Sequence, residues 1–153
     1  MQSRNLLRQE LRGLEAGAEL ALGGGFTLSG SLLSVWGEER TPERVDPADR
    51  IPPLSGRLAL AGPVGTGRLE LAARFADRQD RLSPRDRVDP RIDPRGTAGF
   101  AVLDAVYALP LGRGATLQLR AENLFDRRYR EHGSGLDAPG RSFGLALELG
   151  YGR

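Results

Sequence analysis

The sequence predicts an all-β fold, an antiparallel meander of about seven strands. Apolar and polar residues alternate in several segments, as they do in strands whose two faces meet different surroundings. Glycine occurs 21 times and proline 10 times in 153 residues, a content typical of proteins with many turns. The last predicted strand shows the alternation most clearly, with its large side chains on one face: Phe143, Leu145, Leu147, Leu149 and Tyr151.

The amino-terminal half contains the first four predicted strands. The first strand has one apolar face, formed by Leu14, Ala16, Ala18, Leu20 and Leu22, and ends at three successive glycines. The second strand runs from Phe26 to Trp36 and is followed by a polar loop, Gly37 to Ser55. The third covers Gly56 to Ala61. After a short turn, the fourth places Leu69, Leu71, Ala73 and Phe75 opposite Arg68, Glu70 and Arg74.

The carboxyl-terminal half contains the other three. A loop from Asp77 to Thr97 holds five Asp, six Arg and three Pro, too polar and too interrupted for a strand. The fifth strand, Ala98 to Leu109, is apolar on both faces, so its orientation is ambiguous. A PLGRG turn leads to the sixth strand, Thr116 to Glu122, and the loop from Leu124 to Arg141 precedes the seventh.

The predicted connections alternate strictly in length, with 3, 19, 6, 21, 5 and 18 residues. Transmembrane β-barrels have short periplasmic turns at one rim and long external loops at the other, so the last strand should end at the periplasmic rim. Seven of nine aromatic residues lie near predicted strand ends, as expected of a membrane-interface girdle: Phe26, Trp36, Phe75, Phe100, Tyr107, Phe143 and Tyr151. The eight steps from Phe143 to Tyr151 span roughly 26 Å at about 3.3 Å per residue. The same alternation also fits a soluble antiparallel sheet with one solvated face.

Composition excludes several classes of protein. No stretch of 18 apolar residues exists that could form a transmembrane helix. The net charge is only +2, with 22 arginines and no lysine, which gives no case for a nucleic-acid partner. The amino end, MQSRNLLRQELRGLEAG, lacks the apolar core of a secretory signal. If the chain resides in the outer membrane, we therefore expect it to be a fragment of a longer protein.

A set of spaced motifs near the carboxyl end resembles the corresponding part of TonB-dependent receptors. An N-L-F-D element is followed by a Tyr three residues after its Asp, and a P-G-R-x-F element opens the final strand. The residues that carry this resemblance are Asn123, Leu124, Phe125, Asp126, Tyr129, Pro139, Gly140, Arg141 and Phe143.

The resemblance continues upstream and covers most of the chain. RGLEAGAELAL is similar to the family's G-x-E strand, with Gly13 and Glu15, and IPPL (Ile51 to Leu54) precedes the next strand as in the family. GTAGFAVLDAVYAL is similar to the T-x-G-[YF] strand opener. The family usually ends on an aromatic residue, whereas two residues follow Tyr151 here, a departure that could weaken recognition by the barrel-assembly machinery.

This resemblance implies the carboxyl-terminal portion of a 22-stranded barrel in the outer membrane of a Gram-negative cell. Residues 1–153 would be a partial barrel domain without plug or signal peptide. The full protein would import a scarce ligand of the ferric siderophore, haem or cobalamin class, with a plug domain and the TonB energy-coupling protein as partners. Membrane lipid and lipopolysaccharide would surround the barrel.

We expect the motif residues to be structural. Asn123 can bond back to the main chain, Pro139 suits a position before a ladder, Gly140 permits a tight entry and Arg141 can satisfy carbonyls at the rim. No catalytic, cofactor-binding or metal site is predicted, and we expect no enzyme. Contact with the ligand or with lipopolysaccharide is a weaker hypothesis, because the loop arginines can pair with neighbouring aspartates. The residues concerned are Arg78, Arg81, Arg85, Arg87, Arg91, Arg95 and His132.

Two alternatives remain open from the sequence. A small porin-like barrel that assembles by oligomerising would need its own signal peptide and a seam between subunits. A soluble all-β binding module would stay in solution without detergent, and its apolar faces would pack on one another.

Overall fold

The computed structural model describes residues 8–150, which form one antiparallel sheet of eight strands. The strands are β1 (Arg8–Gly23), β2 (Phe26–Arg40), β3 (Val45–Pro47), β4 (Ser55–Val64), β5 (Gly67–Ala76), β6 (Phe100–Gly112), β7 (Ala115–Glu122) and β8 (Ser142–Leu149). The long strands follow the order β1-β2-β4-β5-β6-β7-β8, the short strand β3 pairs with the end of β2, and a 3₁₀ turn covers Asp86–Val88. The predicted all-β meander is confirmed.

Several strands are longer than the sequence predicted. The ladder between β1 and β2 continues to the pair Arg8 and Arg40, because backbone hydrogen bonding extends beyond the last apolar residue into charged segments. β6 likewise runs through Pro110 to Gly112, so the predicted five-residue turn shortens to two residues. The predicted end of the last strand at Tyr151 lies outside the described residues. Among residues 8–150, no helix is long and apolar enough to cross a membrane.

The connections separate by length onto two rims of the sheet. Residues 24–25, 65–66 and 113–114 form two-residue turns at one end, here named the short-turn rim. Residues 41–54, 77–99 and 123–141 emerge at the opposite end, the long-loop rim. This sorting confirms the predicted alternation of short and long connections.

The strand register separates the side chains onto two faces. Leu20, Leu28, Leu60 and Leu71 lie side by side across four strands, on what we call the apolar face. The register also resolves the orientation of β6, since Tyr107 pairs with Leu69 on the apolar face. The opposite, polar face carries the following side chains: Glu15, Ser31, Arg57, Glu70, Arg74, Val102, Asp104, Gln118, Arg120 and Glu122.

Burial follows the opposite pattern from that of a soluble protein. Small residues of the polar face, Ala59 and Ala72, are buried, whereas Leu58, Leu60 and Leu71 on the apolar face are exposed. The packing of apolar faces on one another that a soluble module requires does not occur within residues 8–150. Exposed apolar surface costs about 25 cal/mol per Å² in water, so this face requires a nonaqueous environment or a covering partner.

Three aromatic rings lie over glycines near the two ends of the apolar face. A Cβ atom at Gly56 would lie 2.7 Å from the ring of Phe75, and one at Gly67 would lie 2.6 Å from that of Tyr107. A Cβ atom at Gly62 would likewise overlap the ring of Phe26. These pairs hold the rings across neighbouring strands, as aromatic cover of sheet glycines does in designed barrels.

Phe100 was predicted to belong to the aromatic girdle, and this prediction is wrong. Its side chain lies on the polar face, where it is buried. The ring packs against Tyr129 with centroids 4.3 Å apart. The alternation along β6 places residue 100 on the same face as Asp104, and the loop after β7 covers it.

Candidate functional site

Asn123 closes the turn that follows β7. Its side-chain amide donates to the carbonyl oxygens of Arg127 at 2.9 Å and Pro139 at 3.3 Å, and its Oδ1 accepts from the Arg127 N–H at 2.9 Å. The residue is 2% exposed and has a φ of 50°, a left-handed conformation that Asn tolerates better than most residues. The expected bonding of Asn123 to the main chain is present.

The chain re-enters the sheet through a second contact between motif residues. Asp126 accepts a hydrogen bond from the backbone N–H of Arg141 at 2.8 Å, just before β8 begins. A Cβ atom at Gly140 would lie 2.6 Å from the same carboxylate, so a larger residue there would displace the group that accepts from the Arg141 N–H. The Arg141 guanidinium reaches the carbonyl oxygen of Leu124 at 3.5 Å. Both motif segments are therefore held together at the long-loop rim.

Asp104 connects this turn to the middle of the sheet. One of its carboxylate oxygens accepts from the Asn123 N–H at 2.9 Å, and the other accepts from Nε of Arg74 at 2.7 Å. Arg74 also donates to the hydroxyl of Tyr129 at 3.4 Å. The motif Tyr is thus positioned by β5 and β6, although it lies in the last loop.

The long loops form a compact cap over the rim. The buried carboxylate of Asp86 accepts backbone N–H groups from Arg50 and Ser83. The buried side chain of Gln79 donates to the carbonyl oxygen of Ile51 at 2.8 Å. These bonds join the loop of residues 77–99 to that of residues 41–54, so the Arg- and Asp-rich loop is ordered by contacts with its neighbour.

A cavity of about 390 Å³, which we name the rim cavity, lies between this cap and the polar face. Its charged lining comes from four different segments, which the topology brings to one rim. Both arginines of the lining pair with carboxylates, Arg57 with Glu70 at 2.5 Å and Arg74 with Asp104. The polar and aromatic lining includes Glu15, Ser31, Arg57, Arg74, Phe100, Glu131 and His132. This lining combines two arginines, two glutamates and an aromatic wall, a mixture of polar and apolar groups that is typical of sites for organic ligands.

His132 separates that cavity from a second one of about 190 Å³, lined also by Arg50, Asp89 and Arg91. Its Nδ1 lies 2.9 Å from the Thr97 hydroxyl oxygen. Its Nε2 is inaccessible and has no hydrogen-bond partner among the described residues. Burial lowers the pKa of His132, against a smaller raising effect of the Asp86 carboxylate, so the imidazole is held neutral.

Acid should therefore weaken the loop cap through His132. The unfolded chain binds a proton near the ordinary pKa of 6.5, whereas the folded chain binds it only at lower pH. The stability that the neutral ring provides is complete above pH 6.5 and is lost as the pH falls through the lower folded pKa. We expect the urea midpoint to fall between pH 7 and pH 5, and to fall less in a His132→Gln variant. An equal fall of the urea midpoint with pH in the wild type and in the His132→Gln variant would contradict this assignment.

Five of the six loop arginines contact carboxylates among residues 8–150. Arg78, Arg91 and Arg95 pair with aspartates two residues away in the loop, whereas Arg81 and Arg85 reach Glu38 and Asp49 of the neighbouring segment. Hydrogen bonds from Arg91 hold the pKa of Asp89 far below its usual range. Pairing within the loop thus accounts for three of these arginines, and binding of a ligand or of lipopolysaccharide by the set stays a prediction.

No group of three or more His, Asp or Glu side chains within residues 8–150 is arranged to hold a metal ion. The sequence interpretation missed Asp104, Arg74 and Asp86 as organising residues. Arg74 and Asp104 are charged residues flanked on both sides by apolar residues within predicted strands, which was the available signal. Nothing local in the sequence distinguishes Asp86 from the four other aspartates of its loop.

The chain is similar in structure to three solved transport proteins. It matches "Copper transporter OprC" at 24% identity and a TM-score of 0.76, covering 91% of this chain and 23% of that one. It matches the siderophore receptor PiuA from Acinetobacter baumannii at 16% identity and a TM-score of 0.64, covering 91% and 21%. It matches the ferric-catecholate import receptor Fiu from E. coli K12 at 17% identity and a TM-score of 0.51, covering 91% and 26%.

No family model matches the sequence, and no curated protein matches it. The chain spans about a quarter of the length of these solved receptors. At such identities the likeness establishes the fold, and it agrees with the resemblance carried by the N-L-F-D and P-G-R-x-F elements. The chain has the fold of a barrel segment of a TonB-dependent receptor.

Proposed function

We propose that this chain is the carboxyl-terminal part of the barrel of an outer-membrane importer, and is not an enzyme. The observation that carries the proposal is the exposed apolar face, bordered at both rims by aromatic rings over glycines. In water this face would be unfavourable, whereas in a bilayer it would meet hydrocarbon. The short-turn rim would then be periplasmic and the long-loop rim external.

The polar face would line the lumen of a larger barrel. Further strands would continue the sheet at β1 and β8, because open edges leave backbone groups unpaired in lipid. A barrel of 22 strands has a lumen wide enough to need a plug. Transport would also require energy coupling through a TonB partner.

The ligand class that best fits the rim cavity is an anionic metal chelate. Arg57 and Arg74 supply donors, and Phe100 supplies an apolar wall. The printed names of the similar proteins include copper transport, a siderophore receptor and ferric-catecholate import. A siderophore complex carries acidic metal-binding groups on an organic scaffold, and the two arginines would pair with such groups.

Trp36, the single tryptophan, provides a direct test of the membrane orientation. It lies on the apolar face near the long-loop rim. In phosphatidylcholine vesicles, lipids brominated near the headgroup should quench its fluorescence more than lipids brominated near the chain ends. A Trp36→Phe, Leu147→Trp variant, which moves the reporter toward the short-turn rim, should also be quenched.

A control variant places the same reporter on the opposite face. In Trp36→Phe, Ala146→Trp the indole lies on the polar face of β8 and should be quenched much less than at position 147. Equal quenching at 146 and 147, or failure of the chain to float with vesicles, would overturn the membrane assignment.

The open edges also favour a second candidate, a small barrel built from several copies. Within residues 8–150, β1 and β8 each pair on one side only. Cysteine is absent, so cysteines introduced at Ala21 and Ala146, which both lie on the polar face, would report directly on pairing between copies. A disulfide formed between two chains in vesicles would support this candidate over a segment of a longer chain.

A further inference from the structure

A group of charged residues lies on the apolar face beyond its hydrocarbon-like part. Following β1 and β2 toward the long-loop rim, the paired side chains change from leucine and alanine to Arg12 opposite Trp36. The next pairs on this face are Glu10 with Glu38 and Arg8 with Arg40. This change from apolar to charged side chains takes place over two residues, about 7 Å along the strands.

Four arginines surround the two glutamates of this group. Glu10 is shared by Arg8 at 3.6 Å and by Arg12, and Glu38 is shared by Arg40 at 3.7 Å and Arg81 at 3.4 Å. Four positive charges against two negative ones leave an excess of two. We name this group the outer arginine cluster: Arg8, Arg12, Arg40 and Arg81, with Glu10 and Glu38.

Trp36 joins the cluster to the apolar face. The guanidinium of Arg81 lies 4.2 Å from the centre of the indole, and that of Arg12 lies 6.0 Å away. Arg81 comes from the loop of residues 77–99, so the tertiary fold brings it to this place. The indole would sit at the membrane interface, with cations immediately on the aqueous side.

Fold stability does not account for this arrangement. Like charges directly opposite each other in a ladder are destabilising, and exposed ion pairs contribute little. The guanidinium groups of Arg8, Arg12 and Arg40 are largely exposed, so they remain accessible to a ligand. Their outward position separates them from the rim cavity, which lies against the polar face.

We propose that the outer arginine cluster binds the phosphate groups of lipopolysaccharide beside the barrel. This inference rests on the proposed outer-membrane function, which puts the long-loop rim in the outer leaflet. Arginine binds phosphate through paired N–H donors, and the net positive charge matches an anionic headgroup. The acyl chains of the same lipid would lie against Leu14, Leu32 and the ring of Trp36, which continue the face directly below the cluster.

The experiment compares two variants with the same change in charge. One replaces the four cluster arginines by glutamine: Arg8→Gln, Arg12→Gln, Arg40→Gln and Arg81→Gln. The matched control replaces four loop arginines outside the cluster: Arg78→Gln, Arg85→Gln, Arg87→Gln and Arg95→Gln. Each 153-residue chain is reconstituted in phosphatidylcholine vesicles, and lipopolysaccharide or phosphatidylglycerol is added in increasing amounts. Trp36 emission and co-flotation with labelled lipid report binding.

We expect lipopolysaccharide to change Trp36 emission in the wild-type chain and in the control. The cluster variant should bind it at least tenfold more weakly, and single Arg12→Gln, which leaves the loop untouched, should show an intermediate loss. Equal affinity of the cluster variant and the control would overturn the inference, as would equal affinity of the wild type for phosphatidylglycerol. A chain that associates with neutral vesicles but ignores lipopolysaccharide would refute this inference alone, whereas no association with any vesicle would refute the proposed function as well.

Discussion

Replacement of Asn123 by alanine is expected to destabilise the chain by about 3 kcal/mol, because a buried side chain with three hydrogen bonds is lost. Two carbonyl oxygens and the Arg127 N–H would lose their partner in a site with little water. Alanine also tolerates the φ of 50° poorly, which adds on the order of 1 kcal/mol. Urea unfolding in vesicles, followed by Trp36 fluorescence, measures the loss.

Two further variants separate these contributions. Asn123→Gly relieves the backbone strain but restores no hydrogen bond, so it should recover only about 1 kcal/mol of the loss. Asn123→Asp keeps the acceptor for Arg127 but loses the two donors and brings a second carboxylate close to Asp104. A loss below about 0.5 kcal/mol in the alanine variant would show that the turn is held by other contacts.

Arginine at position 145 is expected to cost about 2–4 kcal/mol, whereas arginine at position 146 should cost far less. The two residues are neighbours in β8 and point to opposite faces, and both are exposed to solvent in the isolated chain. In a bilayer, Leu145 would contact hydrocarbon, so a charge there must be desolvated or the membrane must deform. Ala146 would face the lumen, where arginine can stay hydrated.

The comparison of Leu145→Arg with Ala146→Arg tests the environment rather than the strand. Both variants introduce one positive charge into the same edge strand, and their effects are measured by urea unfolding in vesicles and in detergent-free buffer. A large difference only in vesicles would support contact of the apolar face with lipid. Similar, small effects of both variants in vesicles would place this face in water or against protein.

The sequence allowed prediction of the faces of most strands and of the two kinds of connection. These features depend on alternation and on turn residues, which are local properties of the chain. The motif residues Asn123 and Gly140 were also predictable as structural, since their roles follow from amide bonding and the lack of a side chain. The orientation of β6 was not predictable, because both of its faces carry apolar residues, and only pairing of Tyr107 with Leu69 decides it.

The sites depend on contacts between segments that are far apart in sequence. Asp104 joins Arg74 of β5 to Asn123 after β7, and Arg81 crosses from its loop to Trp36. Neither contact has a local signature, because each depends on the strand order and on how the loops fold over the rim. The alternating antiparallel meander with its turns, in contrast, is readable from the amino-acid sequence, since side-chain periodicity is a local property. Which charged residues meet depends instead on register and loop packing, which join positions as far apart in sequence as Arg74 and Glu131.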